Sequence, residues 1–67
     1  MKEFNIDRWQ TGADMPGKTL VAVSVFDSVG DIRRATQYDF TLDQQYASIT
    51  PEFHAAVEGK LLAAGLL

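Results

Sequence analysis

Phe4 and Ile6 alternate with Asn5 and Asp7 ahead of Arg8 and Trp9, the period of a short half-buried strand near the N-terminus. From 19 to 26 both alternating sets are largely apolar: Val21, Val23 and Val25 fall on one side and Leu20, Ala22 and Phe26 on the other. A strand of that kind is central in its sheet or covered on both faces. Between the two, 10–18 holds Gly12 and the pair Pro16-Gly17, which suits the centre of a type II turn, so this stretch is a loop.

Alternation returns at Tyr38, Phe40 and Leu42, interleaved with Gln37, Asp39 and Thr41, and predicts a third strand. Asp27-Ser28-Val29-Gly30-Asp31 before it has the character of a hairpin connection. A rival arrangement takes Ser28 as the N-cap of a short helix with Asp31 three residues on, but Gly30 within its first turn opposes that. The stretch 43–49 is mostly polar and reads as a connection with one helical turn at most.

A C-terminal helix is marked at both ends. Thr50 is a good N-cap, Pro51 stands at N1 where its missing N–H costs nothing, and Glu52 puts a negative charge in the first turn. The helix should run to about Ala64 and stop at Gly65. Phe53, Val57, Leu61 and Ala64 then form its core stripe. Strand, strand, strand, helix is an α+β fold: a small three-stranded antiparallel sheet covered by one C-terminal helix (β-β-β-α), in a single domain over 1–67.

At 67 residues the core is thin, and folding hides only about 60% of the surface of the unfolded chain. A hydrophobic content of 46% with 22% charged residues is the balance of a folded domain. Cysteine is absent, which removes disulfides, thiolate metal sites and cysteine nucleophiles and fits a reducing compartment. The net charge of −3 sits in the second half: 1–34 is neutral, while 35–67 carries Lys60 against Asp39, Asp43, Glu52 and Glu58. An acidic balance without a basic block opposes general nucleic-acid binding. No leader-like or membrane-length apolar run is seen, so the expectation is a soluble, cytoplasmic protein.

Gly12-Ala13-Asp14-Met15-Pro16-Gly17-Lys18-Thr19 matches the spacing G-x-x-x-x-G-K-[ST] and so resembles a Walker A phosphate loop. Phosphate binding there needs a helix N-terminus directly after the lysine, whereas the β-branched run from Leu20 predicts a strand. Pro16 also removes a donor N–H, and Asp14 adds an unfavourable charge. No nucleotide or other cofactor is expected.

His54, the only histidine, lies one helical turn from Glu58, but no second carboxylate or nucleophile is placed by sequence to complete an acid–base site. Asp27, Asp31, Asp39 and Asp43 lack the spacing of a calcium loop, and one histidine cannot make a zinc site. No catalytic or metal-binding residue is expected. Arg33 and Arg34 with Lys18 and Trp9 are a sparse nucleic-acid footprint, and charge guarding a strand edge accounts for the arginines as well.

The helix carries a less ordinary feature. Ala55, Gly59 and Ala63 form a row of small residues nearly opposite the core stripe, flanked by Leu62 and Leu66. One sheet cannot cover both sides of one helix, so either the loops wrap the second side or another chain does. The function this favours is a small non-enzymatic protein–protein interaction module, docking on a protein partner or a second copy through the helix face or a sheet edge. A nucleic-acid-binding protein using a sheet or hairpin face is the alternative.

Overall fold

The computed structural model describes residues 2–67 and shows β1 (Lys2–Gln10), β2 (Thr19–Val29), β3 (Ile32–Leu42) and α1 (Pro51–Ala63) in that order. The strands form one antiparallel meander, β1-β2-β3, with β2 in the centre. The expected β-β-β-α architecture is the one observed.

The core lies between one sheet face and the helix. Val21, Val23 and Val25 of β2 are buried against Phe53, Val57 and Leu61, with Leu42 closing one side. Each of the three valines stands opposite an apolar partner on β1: Trp9 against Val21, Ile6 against Val23, Phe4 against Val25. Strict alternation would not allow this, because Ile6 and Trp9 differ by an odd number of residues. A bulge resolves it. The register shifts between Ile6 and Arg8, leaving Asp7 as the extra residue, so that Trp9 returns to the helix side.

The first loop ends as its residues dictate. Lys18 N–H donates to the carbonyl of Met15 at 3.1 Å across Pro16-Gly17, and Gly17 has φ +73°, the left-handed value the third position of a type II turn requires. The hairpin between β2 and β3 is tighter than the sequence indicates. Val29 pairs with Ile32, so only Gly30 and Asp31 form the turn. Gly30 at φ +62° followed by a residue without positive φ is the pattern of a type II′ turn, whose twist matches the flanking strands. The short helix at Ser28 therefore does not form, and 27–29 belong to β2 itself.

Thr50 caps α1 through its side chain, which accepts from Phe53 N–H at 3.2 Å, and Pro51 follows at N1. At the other end, Leu66 N–H donates to the Leu61 carbonyl at 2.9 Å and Gly65 N–H to Leu62 at 3.1 Å, with Gly65 at φ +74°. These two bonds are a Schellman motif, and its usual apolar contact is present because Leu66 lies against the core that Leu61 enters. Ala64 is the C-cap and is exposed, so the core stripe ends one turn earlier than the helical period suggests.

Two further features bear on function. β2 is central but is covered by a separate layer on one face only: Leu20 remains 37% exposed, and Ala22 and Phe26 are half-buried on the bare side. The stretch 43–49 contains no helical turn. It runs beside the N-terminal end of α1, where Tyr46 stacks on Phe53 with ring centroids 4.8 Å apart.

Candidate functional site

The row that the helical period singles out is open to solvent. Ala55, Gly59 and Ala63 are exposed and Leu62 is 55% exposed. Neither loop wraps this side. A Cβ added at Gly59 would meet nothing within 4 Å beyond its own helix among the described residues, so no contact inside the chain calls for glycine there. Leu66 differs from the rest of the row, because the Schellman turn folds it back onto the core.

His54 and Glu58 lie at the margin of that face. The His54 ring stacks on Phe4 of β1, centroids 4.7 Å apart and planes at 29°. Beside it Lys2, Glu3, Phe4, Glu58, Leu62 and Leu67 line a shallow groove between β1 and the helix. Histidine here covers an aromatic side chain.

The bare face of the sheet carries a polar hollow floored by Ala22 and Ser24 and walled by Asp7, Arg8, Gln37 and Asp39. The bulge residue Asp7 is its anchor: one carboxylate oxygen accepts from the Ser24 hydroxyl, and the other accepts from the Asn5 amide at 3.0 Å. Ser24 is nearly buried and donates straight to a carboxylate, while His54 lies across the sheet on Phe4. The geometry thus separates the only imidazole from the one buried serine, and a Ser–His nucleophile pair is not assembled.

The residues of the nucleic-acid alternative are scattered. Trp9 meets Phe53 edge-on at 5.8 Å within the helix-side layer. Arg33 lies over the Phe26 ring, 4.4 Å from its centroid, on the bare face. Arg34 stands opposite Asp27 on the helix side, and Lys18 is at the far end of β2. The four aspartates fare alike: Asp27 and Asp31 mark the hairpin end, while Asp39 and Asp43 lie toward the other end of β3. No group of three or more His, Asp or Glu close enough to hold a metal ion occurs among the described residues.

The Walker-like segment leads into β2, so no helix begins directly after Lys18. Thr19, which would hold magnesium in such a loop, is fully buried, and its hydroxyl donates to the Gln44 carbonyl at 2.7 Å and accepts from Tyr46 N–H at 3.0 Å. Titration with magnesium ATP is expected to leave the amide resonances of Gly17, Lys18 and Thr19 in place. Saturable shifts at those amides would overturn this.

Sequence reasoning does not find the exposed pair at the hairpin end. Val29 and Ile32 face one another across the ladder, 72% and 62% exposed, beyond the last pairing of β1 with β2. The signal was available in the spacing around Gly30-Asp31, a two-residue turn that obliges both flanking residues to pair. Against family models, characterised proteins and solved structures, the chain has no match. No described helix is long and apolar enough to cross a membrane.

Proposed function

We infer that this chain is a non-enzymatic protein–protein interaction module of the cytoplasm, an adaptor, regulator or inhibitor that docks on a larger macromolecule. The observation that supports it is the position of the apolar side chains the core does not use. Leu62 beside the small row of α1, and Val29 opposite Ile32 on the hairpin, stand on regular elements that hold them in fixed positions. Apolar residues exposed on rigid elements offer contact area with little ordering cost on binding.

Capture from native lysate with the parent, Gly59→Glu and Ile32→Asp, followed by mass spectrometry, tests the reading. A specific partner should be retained by the parent and lost by one variant that remains folded. If each captured protein survives both changes, the reading fails. Steep loss of binding with salt and co-purifying nucleic acid would favour the alternative.

A companion measurement isolates the cost of the helix row. Gly59→Ala is expected to stabilise the isolated domain by about 1 kcal/mol, since the site is helical and open and glycine is the poorer helix former. In thermal melting that corresponds to a rise of about 4–8 °C for a chain of this size. An unchanged or lowered melting temperature would show that Gly59 has a role inside the fold.

A further inference from the structure

The two edges of the sheet are not alike. β1 is interrupted by the bulge at Asp7, a device that twists an edge away from pairing. β3 runs eleven residues in unbroken register with β2 and contains no proline, glycine or lysine. It contacts β2 on one side only, and among the described residues no turn, loop or cap backbone bond involves its outer side. A long edge in unbroken register, whose only charged guards are Arg33, Arg34 and Asp39, is a template for a strand that can pair those charges.

We propose that β3 pairs antiparallel with β3 of a second copy about a twofold axis at Thr36, making a continuous six-stranded sheet with both helices on one face. This rests on the interaction-module reading and names its partner for the sheet edge.

The register follows from the side chains. A centre at Thr36 sets Arg33 opposite Asp39 of the second copy, and Asp39 opposite the second copy's Arg33, both on the bare face. On the helix side it sets Arg34 opposite Tyr38 and Ile32 opposite Phe40, so an exposed isoleucine gains an aromatic neighbour. Moving the centre to Ala35 sets Arg33 against Gln37 and Arg34 against Thr36, without an ion pair. Moving it to Gln37 leaves Arg33 against Thr41 and Arg34 against Phe40, without an ion pair. An axis perpendicular to the sheet keeps helix side with helix side. It separates the two β2 strands by three strand spacings, about 14 Å, which leaves room for both helices over a floor of Tyr38 and Phe40.

The guanidinium of Arg33 leans over Phe26, a contact of modest strength at an exposed site, so pairing across the edge exchanges one cation contact for another. The charge pairs select the register, and the backbone ladder with the apolar pair supplies the attraction.

Sedimentation equilibrium of the full chain tests this, with folding of each variant checked by circular dichroism. The parent should pass with concentration from the 7.4 kDa monomer toward twice that mass. Arg33→Asp and Asp39→Arg should each weaken association by about tenfold or more, because each sets like charges opposite one another twice per dimer. The double variant Arg33→Asp/Asp39→Arg should regain it. An equimolar mixture of the two single variants should form a heterodimer, since one chain then presents acidic side chains at both positions and the other presents basic side chains at both.

A parent that stays monomeric at the highest soluble concentration would overturn the pairing. So would single variants that associate like the parent, or a mixture that shows no gain. Association abolished by Gly59→Glu but indifferent to both charge reversals would place the second copy on the helix and overturn it too. In each of these cases the broader reading is judged separately, by loss of the captured partner.

Discussion

Phe53→Ala is expected to remove most of the stability of the domain. Phe53 is completely buried at the N-terminal end of α1, between the Trp9 edge at 5.8 Å and the Tyr46 ring stacked at 4.8 Å. Truncating a buried phenylalanine costs about 3–5 kcal/mol, and the loss of two aromatic partners places this site toward the upper end. At about 0.05–0.15 kcal/mol per residue, a chain of this length has only about 3–10 kcal/mol in total. The urea midpoint should therefore fall to about half of the parent value or lower. Leu61→Ala, at the other end of the stripe, should cost about 2–5 kcal/mol. A variant at Phe53 with the parent's midpoint would mean that the helix does not sit on the sheet in the observed phase.

Why Phe53 and its stripe were legible in the sequence, and other features were not, follows from what each element needs. A helix that covers a sheet needs apolar residues at one spacing, a cap and a stop. Thr50, Pro51, Phe53, Val57, Leu61 and Gly65 supply all of these within a single segment. Alternation reports a strand only where its two faces differ. It therefore finds Tyr38, Phe40 and Leu42 but is silent over Arg33, Arg34, Ala35 and Thr36, which are exposed beyond the helix. The backbone ladder continues there because pairing needs no side-chain pattern, only the tight turn at Gly30-Asp31.

The bulge at Asp7 was hidden for a related reason: one added residue breaks the period and looks like the end of a strand. The apolar residues on the second side of β2 mark it as the central strand, which it is. On that bare face the cover is local, Arg33 lying over Phe26 and Asp7 accepting from the Ser24 hydroxyl. For the candidate surfaces, the exposed row on α1 can be read from helical period alone. The free edge of β3 cannot, because being an edge is a property of strand order.

Thr19→Val is the second change with a large expected effect, and it tests a contact that no periodicity predicts. In sequence Thr19 looks like the last residue of a phosphate loop. In the structure it opens β2, is fully buried, and holds 43–49 by two hydrogen bonds, donating to Gln44 O and accepting from Tyr46 N–H. Valine has nearly the same shape, so the change leaves little cavity, but it strips a partner from one backbone carbonyl and one backbone N–H. Each such group left unsatisfied in a partly buried site costs about 1–3 kcal/mol, so the expected loss is about 2–6 kcal/mol. The damage should also spread in a set direction. Tyr46 carries one of the bonded groups and stacks on Phe53, so release of 43–49 opens one side of the most buried aromatic ring. Amide exchange should accelerate first at Tyr46, then at the N-terminal turn of α1, while the hairpin end near Val29 and Ile32 keeps the parent's rates. Thr19→Ser retains the hydroxyl and should restore most of the protection despite losing a methyl group. If serine loosens the segment while valine keeps the parent's protection, the methyl group holds it and the hydrogen bonds contribute little. If valine alone loosens it, the hydroxyl is the latch that ties the connection before α1 to the first residue of the central strand.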